Sequence, residues 1–305
     1  MRRASRAAVA LLFGALMAVW PAASFARVLV PMDAGQADHL RAYGLVYWAL
    51  ERGVHGEWLL NYRGGAFLLP DLASLPEEAL IRGVTIESVN DADVAKIQAE
   101  IADNNMETIK LETAPRVAVY VPPSAPPWDD AVQLALEYAQ IPYTKLWDAE
   151  VMDGKLADYD WLHLHHEDFT GQYGKFYAAF ASADWYQRQV AENQGVARRY
   201  GFAKVSDLKK SVAQTIKAYV AQGGFLFAMC SGTDTFDIAL AAGRTDIVAK
   251  EYDGDGVDPR AASKLDFTET MAFQNFELEP NPLVYEYSNI DPPPKATVRG
   301  QFVDS

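Results

Sequence analysis

Short apolar runs alternate with amphipathic segments along most of the chain. Runs typical of buried strands lie at 27–32, 57–62, 66–69, 84–89, 117–121, 143–147, 161–165 and 225–229. Helical spacing of apolar residues marks 37–52, 91–101, 128–140, 176–200, 206–222 and 233–242. Asn90 and Ser206 are predicted to cap two of these helices. Alternating strands and helices predict an α/β protein with a parallel sheet covered on both faces, which binds ligands outside the carboxyl ends of its strands.

The polar stretch 102–115 is predicted to be a linker between two blocks. We expect a smaller α/β block at 27–115 and a larger α/β domain at 116–305. The final segment, IDPPPKATVRGQFVDS, contains no evident helix or strand, which leaves open that C-terminal elements are missing.

Residues 1–26 have the features of a secretory signal peptide. Three arginines precede an apolar run at 7–20, and an A-x-A-like site ends at Ala26. We expect cleavage after Ala26 and a periplasmic or secreted protein with no stable membrane anchor. The alternative is an uncleaved anchor, but the apolar run is shorter than the roughly 20 residues that span a bilayer.

The sequence is acidic, with 41 Asp and Glu against 27 Lys and Arg. A strongly acidic protein repels nucleic acid and anionic membranes, so we expect neither as a partner. A small polar molecule or a glycan is the expected partner, and the sequence does not indicate an oligomeric state. Several aromatic residues are candidates for stacking on a sugar or for the core, namely Trp48, Trp58, Tyr173, Phe176, Tyr177, Trp185 and Tyr186.

The single cysteine, Cys230, follows an apolar run and precedes a small, polar segment, SGTDT. This pattern predicts a strand-to-helix elbow, where a helix N-terminus lowers a thiol pKa and its free N–H groups can bind an oxyanion. Cys230 is therefore the candidate nucleophile, and Ser231, Gly232 and Asp234 are candidate binding residues. The alternative is a buried, unreactive thiol.

A second cluster of candidate residues, HLHHED, ends the strand predicted at 161–165. His165 or His166 is the candidate base for Cys230, and Glu167 or Asp168 the candidate acid that orients the ring. Two histidines and a carboxylate can also bind zinc or iron. An ordinary strand end is the third alternative. We favour the catalytic interpretation and assign no metal.

Two further motifs lie outside these clusters. Arg63 follows a predicted strand and is a candidate for binding a carboxylate or phosphate, although packing over a glycine turn is an equal alternative. The acidic segment 253–258 has some features of a calcium loop but departs from the EF-hand pattern, which favours an acidic surface turn.

The order of elements over 116–242 resembles the class I glutamine amidotransferase-like superfamily. The resemblance rests on a strand followed by a helix, on LADYDWLHLHHED, and on a helix that ends in Gly-Gly before FLFAMCSG. It implies a flavodoxin-like sheet and a cysteine nucleophile at Cys230. In that superfamily the catalytic His and Glu follow the Cys, whereas all five histidines here precede it.

More narrowly, the segments VLVPMD, HLRAYGLVYWALERG, WLLNYRGGAFLL, DYDWLHLHHEDFTGQYGKFY and FAMCSGTDTFDIALAA resemble an exported bacterial family often named asparagine synthetase B. Synthetase chemistry is not supported. Arg2 stands where those enzymes have a cysteine, and Thr233 replaces a glycine that pyrophosphate binding requires. We therefore expect no cofactor. The expected function is a cysteine-dependent hydrolase or amidase, and the alternative is a non-catalytic binding or scaffold protein with a degenerate site.

Overall fold

A computed structural model describes residues 27–123, 125 and 130–290. The predicted signal peptide, the start of the helix predicted at 128–140 and the last 15 residues lie outside them. The described chain forms two compact units. One contains 27–42 and 52–112, and the other contains 43–51 and 113–290. None of the helices described is long and apolar enough to cross a bilayer.

The first unit contains a five-stranded sheet in the order β4-β1-β3-β2-β5. The strands are β1 (Arg27–Val30), β2 (Gly56–Leu60), β3 (Phe67–Pro70), β4 (Glu87–Val89) and β5 (Glu107–Leu111). Helix α1 (His39–Glu51) follows β1, α2 (Leu75–Arg82) follows β3, and α3 (Asp91–Asp103) follows β4. All four pairings in this sheet are antiparallel, so the expectation of a parallel sheet is wrong for this block.

A tight turn between β2 and β3 makes the sheet of the first unit antiparallel. Arg63 and Gly64 both have positive φ there, 45° and 78°. A Cβ atom on Gly64 would lie 2.4 Å from the Met32 carbonyl oxygen, so this position requires glycine. The turn reverses the chain and inserts β3 between β1 and β2, which themselves run in the same direction.

Two other elements of the first unit differ from the prediction, and one agrees. The segment predicted as a linker contains β5, an edge strand whose sequence ETIKL alternates polar and apolar residues. Helix α2, with a proline in its first turn, was not predicted. The predicted cap Asn90 is confirmed, because its Oδ1 accepts hydrogen bonds from the N–H groups of Ala92 and Asp93 at the start of α3.

The second unit contains a four-stranded parallel sheet in the order β7-β6-β8-β9. Its strands are β6 (Val117–Tyr120), β7 (Tyr143–Leu146), β8 (Trp161–Leu164) and β9 (Phe225–Ala228). The helices are α4 (Ala131–Ala139), α5 (Asp148–Met152), α6 (Tyr177–Phe180), α7 (Asp184–Arg199), α8 (Val205–Ala221), α9 (Ser231–Ala241), α10 (Lys250–Asp253) and α11 (Ala261–Lys264). The α/β class and the parallel pairing of the strands near 117–121, 161–165 and 225–229 are confirmed.

Residues that alternate along β6 separate the two faces of this sheet. Val117 and Val119 pack with Leu136 of α4, whereas Ala118 and Tyr120 belong to the main core. That core also contains apolar side chains of α8 and α9 that are inaccessible to solvent, namely Leu208, Val212, Ile216 and Ile238. Full burial of each such side chain contributes about 1.5–3 kcal/mol.

Three local predictions for the second unit are wrong. The helix predicted at 176–200 is interrupted between α6 and α7. Ser206 lies inside α8, whose N-cap is Lys204. Strand β9 is not buried on both faces, because Phe225 and Phe227, which share one face, are 58% and 46% exposed.

Candidate functional site

Cys230 forms a strained elbow between β9 and α9. Its φ of 49° and ψ of −143° place a non-glycine residue outside the common backbone regions, a conformation that is frequent at functional sites. Cys230 is the N-cap of α9, which begins at Ser231, two residues earlier than predicted. The thiol is exposed, so the alternative of a buried thiol is wrong.

Backbone contacts join this elbow to the carboxyl end of β8. The Gly232 N–H donates to the His165 carbonyl oxygen at 2.7 Å, and a Cβ atom on Gly232 would lie 2.5 Å from that oxygen. The Ser231 hydroxyl donates to the His166 carbonyl oxygen at 3.0 Å. Ser231 and Gly232 thus hold the two segments together, and both donors are already engaged within the protein.

The carboxylate beside the His165 ring belongs to Asp130, which the sequence reasoning missed. Asp130 Oδ1 lies 3.3 Å from His165 Nδ1, and the aspartate side chain is only 1% exposed. The same oxygen caps α4 by accepting the N–H groups of Val132 and Gln133 at 2.7 and 3.2 Å. An acidic residue at the start of the helix after β6 was the available signal, because β6 and β8 end at the same edge of the sheet.

His166 extends this cluster toward solvent. Its Nδ1 lies 3.2 Å from His165 Nδ1, and its side chain is exposed. Asp130, His165 and His166 therefore form one connected group. The sequence predicted that the two histidines belong to the site, but it did not indicate Asp130.

Glu167 and Asp168 do not hydrogen-bond to a histidine ring among the described residues. Glu167 Oε2 accepts the backbone N–H of His165 at 3.0 Å, and burial raises the pKa of this carboxyl to about 7. Asp168 accepts the N–H groups of Thr170 and Gly174 at 2.6 and 3.0 Å. Among the carboxylates described, Asp130 rather than Glu167 or Asp168 therefore lies beside the His165 ring.

His163 and Asp234 are buried, at 2% and 9% exposure. The His163 ring stacks on Phe227 with centroids 5.6 Å apart, and burial lowers its pKa to about 4, so the ring is neutral near pH 7. Asp234 lies in the first turn of α9, where burial raises its pKa to about 7. Its carboxyl is largely shielded from solvent, and the contact of Asp234 with a ligand stays a prediction.

Arg63 lies in the first unit and is held by two carboxylates. Its Nε donates to Asp33 Oδ2 at 2.6 Å, and its Nη1 donates to Glu87 Oε2 at 2.8 Å. These hydrogen bonds raise the pKa of the guanidinium above its ordinary value. An anion would have to compete with Asp33 and Glu87 for Arg63, and anion binding there stays a prediction.

The suggested calcium segment forms ion pairs with two lysines of the protein. Lys204 Nζ forms ion pairs with Asp246, Asp253 and Asp255, the one with Asp253 at 3.2 Å. Asp258 pairs with Lys264. This arrangement agrees with an acidic surface turn, which the sequence had favoured.

Six of the seven aromatic residues considered for sugar stacking contact another aromatic ring, namely Trp58, Tyr173, Phe176, Tyr177, Trp185 and Tyr186. Tyr173 and Tyr186 are buried, with ring centroids 6.0 Å apart. Phe176 packs edge-on against Trp185 at 5.6 Å, and the indole N–H of Trp58 donates to the Gly65 carbonyl oxygen. These contacts favour the packing alternative.

Comparison with family models, with curated proteins and with solved structures found no match for this chain. The chemical interpretation therefore depends on the geometry of the site. The site contains an exposed thiol at the N-terminus of α9. A histidine pair follows the neighbouring strand β8, beside the buried carboxylate of Asp130.

Proposed function

We propose that this protein is an exported hydrolase with a class I glutamine amidotransferase-like fold, in which Cys230 attacks an amide or related acyl bond of a small polar molecule or glycan. The observation that carries the proposal is the backbone at Cys230, an exposed cysteine with positive φ between a parallel strand and an 11-residue helix. Such a position presents the sulfur to substrate and to the positive end of the helix dipole.

The strand order supports the fold assignment. Numbered within its own sheet, the order β7-β6-β8-β9 becomes 2-1-3-4, which matches the first four strands of the flavodoxin-like order 2-1-3-4-5. The chain changes direction across this sheet between β6 and β8, where α/β proteins of this type bind ligands. Asp130 follows β6 and His165 follows β8, at this switch point.

The proposed chemistry assigns one role to each group. The Cys230 thiol loses its proton to His165 or His166, and the thiolate attacks the carbonyl carbon. The protonated ring then gives its proton to the leaving amine as the C–N bond breaks, which leaves a thioester that water hydrolyses. Asp130, beside His165 Nδ1, favours the tautomer in which that nitrogen carries the proton, so that Nε2 is the basic atom.

The narrower assignment to the exported family often named asparagine synthetase B, and export itself, are parts of the same proposal. They are supported by the five quoted segments and by the signal-like sequence of residues 1–26. N-terminal sequencing of the protein recovered outside the cytoplasm should start at Arg27. Recovery of Met1 or Arg2 would contradict cleavage.

Alkylation of the native protein tests the nucleophile. Iodoacetamide should alkylate Cys230 near neutral pH faster in the native protein than in the urea-unfolded chain, as measured by mass spectrometry. His165→Ala or His166→Ala should slow the native reaction, and Cys230→Ser should abolish hydrolysis in a screen of amides, esters and glycans. A native reaction no faster than that of the unfolded chain, or protection until denaturation, would rule out the hydrolase.

A second candidate function is a non-catalytic binding or scaffold protein. Two observations favour it: within the described residues the Cys230 thiol makes no hydrogen bond, and the Gly232 N–H is occupied by the His165 carbonyl. No turnover by the wild type, together with a thiol that reacts no faster than in the unfolded chain, would favour this function.

A further inference from the structure

Three side chains converge at the carboxyl edge of the parallel sheet with the spacing of metal ligands. One ligand atom from each of Asp130, His165 and His166 lies within 4.8 Å of the other two. Two of these separations are 3.3 Å, from Asp130 Oδ1 to His165 Nδ1, and 3.2 Å, between the two Nδ1 atoms. Ligands 2.0–2.1 Å from a tetrahedral ion are about 3.3 Å apart, so both distances fit the edges of such a tetrahedron.

The buried carboxylate of Asp130 supplies an independent reason to expect a cation. Its side chain is 1% exposed, and its Oδ2 has no hydrogen-bond partner among the described residues. An ionised carboxylate removed from water is costly unless it is paired or bound to a metal. Two backbone N–H groups donate to Oδ1, the oxygen beside His165, so an ion bound by Oδ1 would compensate the charge of a buried carboxylate whose Oδ2 the protein leaves without a donor.

The second acidic cluster among the described residues already holds a cation of the protein itself. Asp246, Asp253 and Asp255 surround the ammonium group of Lys204. At Asp130, the ion-pair partner within the described residues is His165, which is itself a metal-ligand type. The protein therefore supplies its own cation at one cluster and two imidazoles at the other.

We propose that Asp130, His165 and His166 bind a first-row divalent transition-metal ion, with Zn²⁺ as the expected occupant. Two imidazoles and one carboxylate suit zinc, cobalt or nickel better than calcium or magnesium, which prefer oxygen ligands. Three protein ligands leave the fourth position of a tetrahedral ion open for water or another ligand. This site goes beyond the proposed hydrolase and does not depend on Cys230.

The metal and the proposed base would exclude each other. In the metal-free protein the two Nδ1 atoms can share one proton, whereas in the metal-bound protein their lone pairs face the ion. A ring bound through Nδ1 keeps its proton on Nε2 and cannot accept one from a thiol. If the hydrolase is correct, Zn²⁺ inhibits it, but metal binding can be measured without any substrate.

A titration of the purified, untagged protein tests the site. After treatment with EDTA and dialysis, Co²⁺ should bind at one equivalent with the visible absorption of a low-coordinate ion, and Zn²⁺ should displace it. His166→Ala and Asp130→Asn should each weaken the Kd at least about tenfold, because loss of even an outer-shell partner weakens metal binding 10- to 100-fold. His55→Ala is the matched control, an exposed histidine outside the cluster, and should bind as the wild type does.

Asp130→Asn keeps an oxygen that can cap α4, so it removes the charge without removing the helix start. Circular dichroism of each variant separates lost binding from lost folding. Absence of saturable binding at one equivalent in the wild type would overturn the proposal. So would retention of the wild-type Kd by folded His166→Ala and Asp130→Asn, or an equal loss in His55→Ala.

Discussion

Both sheets of this protein are built from alternating strands and helices, but the sheet of the first unit is antiparallel and that of the second unit is parallel. In both units, each connection that contains a helix joins two strands running in the same direction. The first unit differs by one connection, the turn over 61–66, which reverses the chain between β2 and β3. Because β3, β4 and β5 then run against β1 and β2 and interleave with them, a single hairpin converts the sheet from parallel to antiparallel.

The same difference decides where polar side chains can collect. In a parallel sheet all carboxyl ends lie at one edge, so the residues that follow β6, β8 and β9 meet there. In the antiparallel sheet the ends alternate, and Arg63 at the hairpin is neutralised by Asp33 and Glu87. The second unit is therefore the one that gathers a histidine pair, a buried carboxylate and a thiol.

The largest expected effect is in the buried polar network of the second unit. Lys209 and Asp148 form an ion pair of 2.9 Å with side-chain exposures of 4% and 0%, and Lys209 Nζ also donates to the Tyr120 hydroxyl. Lys209→Met should lower the free energy of unfolding by about 3–5 kcal/mol, because it leaves a buried carboxylate unpaired. Urea denaturation measures the loss, and the double variant Lys209→Met, Asp148→Leu should recover much of it. An effect below 1 kcal/mol would contradict this account.

One glycine in each unit lies against a backbone oxygen, and substitution by alanine tests how much stability depends on that close approach. Gly64→Ala in the hairpin and Gly232→Ala at the elbow each place a Cβ atom 2.4–2.5 Å from a backbone oxygen. Each should lower the free energy of unfolding by about 2–3 kcal/mol. Gly53→Ala is the control for Gly64, with positive φ but an open neighbourhood, and should lose about 1 kcal/mol. Equal losses in Gly64→Ala and Gly53→Ala would show that backbone conformation alone, and not close approach, sets the requirement in the hairpin.

The buried acid of α9 should make stability depend on pH. Burial raises the pKa of Asp234 to about 7, and Asp168 and Glu286 add to the shift. The folded state therefore holds a proton that the unfolded state has released, so this contribution to stability falls as pH rises from about 4 to 7. Over this pH range the free energy of unfolding of Asp234→Asn should therefore fall by about 1–3 kcal/mol less than that of the wild type. Urea midpoints at pH 5 and 8 measure it, and an unchanged pH slope in the variant would refute the assignment.

The smallest effect is expected at the half-exposed ion pair of the first unit. Arg63 and Asp33 are 30% and 35% exposed, so solvent screens their attraction. Arg63→Met should change the free energy of unfolding by about 0–1 kcal/mol. A loss as large as that of Lys209→Met would show that burial does not determine how much each ion pair contributes to stability.

Much of the secondary structure was predictable because it depends on local pattern. Apolar runs located most strands to within a residue or two, and Asn90 marked the start of α3 correctly. Strand β5 was missed because an edge strand with polar side chains resembles a linker. The exposure of β9 was missed because Phe225 and Phe227 look the same in an apolar run whether or not a neighbouring strand or helix covers them.

The sequence by itself determined the α/β class, the position of the cysteine elbow and the histidines that end β8, since each depends on residues close together in the chain. Only the tertiary structure decided that the first sheet is antiparallel, that Arg63 and Lys204 are neutralised, and that Asp130 rather than Glu167 or Asp168 faces the His165 ring. The physical reason is that periodicity reports which residues are buried, whereas strand pairing decides which distant residues meet. Asp130 and His165 meet because β6 and β8 are hydrogen-bonded neighbours that end at one edge, a relation that no local pattern contains.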